Sequence, residues 1–208
     1  MNLYRPVGLK ELELIYDSDM NVFPPRLPEQ PIFYPVLNQQ YAEQIAGEWN
    51  TTSEPYAGFV TKFTVDDAYI SKFESHIVGG KLHKELWVPA EELENFNHHI
   101  LSKIEIVASF FGDNYVGHIP DEGTFKNKDA KSQFIILKEL RDYNMMDFSG
   151  TMQLNLKAIY LNYCFWCQTD FNFAGIDMVK RNEVLDAIKV CWSRKELPVE
   201  LPKNCFGN

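Results

Sequence analysis

The stretch Ser75-His76-Ile77-Val78-Gly79-Gly80-Lys81-Leu82-His83-Lys84-Glu85-Leu86-Trp87-Val88-Pro89, continuing as AEELENF to Phe96, orders everything around it. Ser75–Val78 and Leu82–Val88 read as two short strands. Gly79-Gly80 between them suits the positive φ angles of a tight hairpin turn. Pro89 is expected to end the second strand, because proline cannot donate to a ladder. The same proline then opens a helix over PAEELENF, with acids near its positive end.

Working outward, Lys103–Phe111 (KIEIVASFF) reads as a further strand, and AYISKF after Asp66-Asp67 as a short helical turn. AGFVTKFTV, residues 57–65, alternates in the two-residue period of a strand. Near the start, Leu3–Val7 reads as a strand and LKELELIYD as a helix, with Leu9, Leu12 and Ile15 at helical spacing. FPPRLPEQP holds four prolines and is expected to be a loop long enough to cover a cleft. Pro31–Val36 is a second short strand. Asn38 stands at an N-cap position before QQYAEQIAGEW, which sets Tyr41, Ile45 and Trp49 on one helix face.

The element order β-α-β-α-β-(α)-β-β-α-β makes residues 1–112 an α+β part with short helices. Residues 113–127 look like a connection. Residues 128–208 form a mainly helical C-terminal lobe expected to pack on the first part. Its helices fall at 128–143, from about Leu156, and at 177–195, the last with Val179, Val184, Leu185, Ile188 and Trp192 toward a core.

With 208 residues and 45% hydrophobic content, the chain has enough apolar surface for a well-filled core, which excludes a disordered or collagen-like protein. A formal net charge of −9 argues against a dedicated nucleic-acid binder, since phosphate contacts need clustered cations. The first residues carry charges from Arg5 onward, unlike a signal peptide, and no apolar run reaches a membrane span. A cytoplasmic location is expected. Four cysteines, Cys164, Cys167, Cys191 and Cys205, are expected to be reduced thiols; Cys164 and Cys167 form a C-x-x-C without the second pair a zinc ribbon needs. His98-His99 point about 100° apart on a helix and suit a surface, so no metal is expected. P-loop, dinucleotide-fold, zincin and hydrolase-elbow signatures are missing.

Three local segments resemble the ADP-ribosyltransferase superfamily, whose NAD lies in a cleft of a split β-sheet. The resemblance covers roughly residues 3–112, about half the chain, and implies a split mixed β-sheet with short helices there. LYRPVG offers Arg5 where the superfamily's first strand offers a His or Arg to the NAD ribose and phosphate. Phe33-Tyr34-Pro35, followed by Asn38 and Tyr41, stands where a Tyr-Phe-Ala, Ser, Tyr pattern grips nicotinamide. HKELWVPAEEL offers Glu85 where a late strand carries the catalytic glutamate. Arg5 follows one version of the superfamily triad and Tyr41 the other, and Asn38 replaces the usual serine. The whole chain is also similar to bacterial proteins grouped under an ADP-ribosylation/crystallin label. Crystallin-like ADP-ribosyl hydrolases are all-helical and hold metals with paired aspartates, which this β-containing half lacks. The resemblance implies an NAD-dependent ADP-ribosyltransferase, or an NAD glycohydrolase if water is the acceptor, with NAD or a related nucleotide as ligand.

The residues suit that chemistry. Cleaving a ribose–nicotinamide bond passes through an oxocarbenium-like state, which a carboxylate stabilises. Glu85 shares a strand face with His83 and Trp87, aimed at a partly apolar cleft. A pyrophosphate needs a forked cation, for which Arg5 fits and Arg26 is a second candidate. Nicotinamide needs an aromatic face, Tyr41 or Tyr34, and Asn38 would bind the ribose. Each residue also has an ordinary reading. Glu85 pairs across strands with Lys72 or Lys81; Arg5 pairs with Glu11, Glu13 or Asp17; Tyr41 and Ile45 are a packed helix face; Asn38 is an N-cap. The alternative function is a catalytically silent binding module whose aromatic lobe, with Phe165, Trp166, Phe171 and Phe173, presents a partner surface.

Overall fold

The computed structural model describes residues 1–80 and 83–207, in two compact units. The first is Met1–Asp113 with Phe206 and Gly207 of the tail, and the second is Asn114–Cys205. The chain is mixed α and β, with small antiparallel sheets in the first unit and helices in the second.

The first unit runs β1 (Asn2–Val7), α1 (Leu9–Asp17), β2 (Ile32–Phe33), α2 (Gln39–Gln44), β3 (Ala57–Thr64), α3 (Asp67–Ile70), β4 (Ser75–Ile77), β5 (Lys84–Leu86), β6 (Val88–Pro89), α4 (Leu93–His98) and β7 (Glu105–Phe111). Three ladders form, β1-β3-β7, β2-β6 and β4-β5. Every pairing among the described residues is antiparallel, where a mixed sheet was expected.

Pro31–Val36 pairs less than a whole strand would. Ile32–Phe33 pairs with β6 and Val36 alone makes further bridges, because Pro35 between them has no N–H to give. The remaining groups are used well. Val36 exchanges both backbone bonds with Tyr4 (2.9 and 2.8 Å), Leu86 N–H donates to Pro35 O (2.9 Å), and Leu37 N–H donates to Lys84 O (3.0 Å). Residues 35–37 thus serve as a rung between β1 and the β4-β5 hairpin. Pro89 is the last residue of β6, as expected of a strand's end, and faces Ile32 there. A two-stranded ladder consists of edges, where a missing donor is tolerated. In the hairpin turn Gly79 takes φ +85° as expected, while Gly80 does not. Lys81 and Leu82, the latter expected in the second strand, lie outside the described residues.

Alternation sorts the two faces of β1. Leu3, Arg5 and Val7 are buried on one side with Leu9, Leu12 and Ile15 of α1 also in the core. Phe23, Phe33, Phe63 and Phe96 meet edge-on or tilted, with centroids 4.8–6.2 Å apart. A second cluster packs Tyr41, Ala42 and Ala46 onto Val36, Val60 and Ala108, with Tyr4 at its edge. Gly58 makes this approach possible, since a Cβ there would lie 2.1 Å from the Ala46 carbonyl oxygen. Trp49, expected on the Tyr41–Ile45 face, is 58% exposed. The helix widens into a π-turn over Ile45–Trp49, which rotates the indole off that face.

The second unit holds α5 (Ala130–Tyr143), α6 (Met145–Leu154), α7 (Leu156–Gln168) and α8 (Met178–Ser193). α6 has no counterpart in the sequence reading: Ser149, Gly150 and Thr151 are weak helix formers, and only Phe148 and Met152 are buried. Its start was marked by Asn144, which caps the Asp147 N–H. In α8, Val184, Leu185, Ile188 and Trp192 are buried as expected, but Val179 is exposed, because it lies off their face of the helix. Asn162 of α7 is wholly buried and ties down the segment before α5. Its Oδ1 accepts from His118 N–H (2.8 Å) and the Tyr115 hydroxyl (3.4 Å), while its Nδ2 donates to His118 O (3.0 Å) and Gln133 Oε1 (2.9 Å).

Candidate functional site

Antiparallel register brings Tyr4, Val36, Glu85 and His76 into line across β1, the rung and the hairpin. Directly opposed residues share a face, so the side chain of Glu85 stands on the face covered by α2. There the Tyr41 hydroxyl donates to Glu85 Oε1 at 2.7 Å. The other carboxylate oxygen accepts from Trp87 Nε1 at 3.3 Å. Two partners, Tyr41 of α2 and Trp87 two residues along the chain from Glu85, therefore fix the carboxyl group.

Aromatic rings continue the arrangement. His83 stacks on Tyr41 with centroids 4.2 Å apart, and His76 stacks on Trp87 at the same spacing. Tyr34 meets Trp87 edge-on at 5.9 Å. Tyr41 is only 5% exposed, whereas Trp87 and Tyr34 are 40% and 37% exposed. Burial, then the hydrogen bond to Glu85 and its charge, pushes the Tyr41 phenol up to about 12. It is a protonated donor throughout the neutral range. His76 was missed by the sequence reading: counting outward from a two-residue Gly79-Gly80 turn sets it opposite His83, whereas the register of the hairpin sets it opposite Glu85.

Asn38 caps α2: its Oδ1 accepts from the N–H groups of Gln40 (2.8 Å) and Tyr41 (3.3 Å). The cap fixes the first turn, and with it Tyr41. Lys72, one ordinary partner considered for Glu85, pairs instead with Glu92 at 2.9 Å. The other, Lys81, lies outside the described residues.

Arg5 follows Tyr4 in β1 and so turns to the opposite face. Its guanidinium lies 4.5 Å from the Phe33 ring centroid and grips Glu11 side-on, Nε to Oε1 at 2.7 Å and Nη2 to Oε2 at 3.1 Å. Nη1 reaches the Tyr34 carbonyl at 3.4 Å. Of the three acids considered for Arg5, Glu11 is the partner, and the pair is largely buried rather than on the surface. Arg26 comes from the proline-rich loop. Its Nε is buried and has no hydrogen-bond partner among the described residues. Burial lowers its pKa and the Arg5 charge lowers it further, against the opposing influence of Glu11 and Tyr34. The structure thus groups Glu85, Tyr41 and Asn38 on one side, and Arg5 and Arg26 on the other. Tyr34 belongs to both, through its ring to Trp87 and its carbonyl to Arg5.

The remaining candidates are structural. The four cysteines are free thiols, with Cys164, Cys191 and Cys205 buried. Contact with Cys205 and burial raise Cys167, which disfavours a reactive thiolate. No cluster of metal-ligating side chains occurs among the described residues. His99 stacks on Tyr69 at 3.7 Å. Of the aromatic residues considered as a partner surface, Trp166 and Phe171 are buried and Phe173 is 66% exposed. No described helix is long and apolar enough to cross a membrane.

No family model matches the chain, and no match occurs among curated proteins or solved structures.

Proposed function

We propose that the first unit is an ADP-ribosyltransferase-like domain that binds NAD and cleaves its nicotinamide–ribose bond, passing the ribosyl group to water or to another acceptor. The observation that carries this reading is the Tyr41 hydroxyl held 2.7 Å from Glu85 Oε1, beside the exposed rings of Trp87 and Tyr34. The bond breaks with its electron pair leaving on nicotinamide, and positive charge develops on the ribose. A carboxylate fixed by two donors meets that charge without having to reorganise. Tyr34 and the part of Trp87 that His76 leaves open offer the pyridine ring a face, since Tyr41 is only 5% exposed beneath His83. The acceptor then adds to the ribosyl carbon and loses its proton.

The reading is tested by titrating the protein with NAD in a calorimeter while following nicotinamide release. Saturable binding with release is expected. Glu85→Gln is expected to keep binding and lose about 100-fold in turnover, the size of one lost electrostatic contact to a transition state. A fully active Glu85→Gln variant, or no binding at millimolar NAD, overturns it.

A second reading, ligand binding without turnover, is favoured by one feature. The Arg5 fork expected to hold the NAD backbone is already closed by Glu11. Binding without nicotinamide release distinguishes this reading from the first.

A further inference from the structure

Both oxygens of Glu85 are engaged, one by the Tyr41 hydroxyl and the other by the Trp87 indole. Held in this way, the carboxylate serves the positive charge that develops on a ribose. Glycoside hydrolysis divides its tasks between two groups, one for that charge and one for the proton. Imidazole is the side chain best matched to proton transfer near neutrality. Two imidazoles stack on the two donors of Glu85, His83 on Tyr41 and His76 on Trp87. His83 is committed to the turn, with its Nδ1 3.1 Å from the Val78 carbonyl oxygen and its ring laid on the buried Tyr41. His76 stands directly opposite Glu85 in the β4-β5 ladder, where facing side chains share one side of the sheet. Its side chain is 36% exposed. Among the described residues no hydrogen bond takes up its ring nitrogens; Glu74 Oε2, 4.0 Å from Nε2, is beyond that range.

We propose that His76 is the base that takes the proton from the attacking acceptor, and that this acceptor brings an O–H group, as water or an alcohol does. The inference rests on the NAD reading given above. A lone pair of the acceptor oxygen forms the bond to the ribosyl carbon, while the bond to nicotinamide breaks with its electron pair on the pyridine nitrogen. The O–H electron pair stays on the acceptor oxygen. The proton passes to His76 Nε2 and from there to solvent, which the exposure of the side chain allows. The imidazolium formed in this step lies against the Trp87 ring, a cation–π contact, with the carboxylates of Glu74 and Glu85 as its charged neighbours. Stacking on Trp87 also fixes the plane of the imidazole, so the same indole that holds Glu85 sets the direction of the base.

The test follows nicotinamide release from saturating NAD by the whole chain and by His76→Phe and His76→Gln, each with and without sodium azide. Phenylalanine keeps a ring on Trp87 and glutamine keeps a polar group, but neither is a base. Both variants are expected to bind NAD as the parent does and to lose about 100-fold in turnover, the low end of what a general base supplies. Azide adds to the ribosyl carbon with no proton to lose. It is therefore expected to restore release in both variants and to leave a ribosyl azide as product, which a merely structural role of His76 would not produce. Parent-like turnover in either variant overturns the proposal and leaves the NAD reading standing, as does a loss that azide does not repair. A parent that binds no NAD, or binds it and releases no nicotinamide, overturns this proposal together with the reaction assigned to Glu85.

Discussion

In the second unit Asn162 is completely buried and uses all four of its hydrogen-bonding positions on its own chain; in the first, Arg26 buries its Nε without a partner. Glu85 lies between these extremes, with both oxygens held but one of the donors on an exposed indole. Polar groups cost free energy to bury, so a satisfied network is a clamp. A polar group held out of water without satisfaction leaves bonding capacity unused. Chemistry is therefore sought in the first unit, although Asn162 and Gln133 of the second are wholly buried.

The strongest way to break this contrast is Asn162→Ala. Removing the amide leaves His118 and Gln133 with lost partners in the interior, and the expected destabilisation is about 4 kcal/mol. Urea unfolding measures it through the midpoint. A shift below about 1 kcal/mol would mean that the network is replaceable, and the clamp reading would fail.

Tyr41→Phe sharpens the contrast from the other side. It deletes one hydrogen bond to a charged, partly open group, so the expected cost is about 1 to 2 kcal/mol in stability. The phenol also leaves a pH signature. Its folded pKa, about 12, lies above the unfolded value of about 10. The folded state therefore favours the protonated form, and this stabilisation is complete below pH about 10 and lost as pH rises from about 10 to about 12. Tyr16, raised to about 12 by burial and then by Asp17 and Asp19, adds to the same alkaline limb. In Tyr41→Phe that limb is expected to become shallower, and the phenolate titration by ultraviolet absorbance to lose one late group. An unchanged late titration would remove Tyr41 as the group held by Glu85.

Legibility in the sequence followed period and local chemistry. β1, α1 and β3 could be read because Leu3 and Val7, then Leu9, Leu12 and Ile15, repeat at strand and helix spacing. The rung at Val36 could not, since two prolines obscure it and its partners are Tyr4 and Glu85, far apart in the chain. The shared face of His83, Glu85 and Trp87 follows from alternation, but the meeting of Tyr41 and Glu85 is a tertiary event. Arg5 had three local acids to choose from, and only packing against Phe33 selected Glu11. The unpaired Nε of Arg26 depends on where a proline-rich loop settles, which no periodicity encodes.

The smallest expected effect concerns Asn38, whose two readings differ in what substitution does. As a cap it offers one side-chain oxygen to the N–H groups of Gln40 and Tyr41. Aspartate offers the same oxygen and adds negative charge at the positive end of the helix, so Asn38→Asp is expected to leave stability within a few tenths of a kcal/mol. Asn38→Ala is expected to cost about 1 kcal/mol. If Asn38 also donates its amide to a ribose hydroxyl, Asn38→Asp loses NAD affinity while keeping its melting temperature, because a carboxylate has no N–H to give. Parallel calorimetry and thermal unfolding of the two variants separate the roles. Affinity that tracks stability in both would leave Asn38 as the residue that positions Tyr41, acting through the first turn of α2 and not on the ligand.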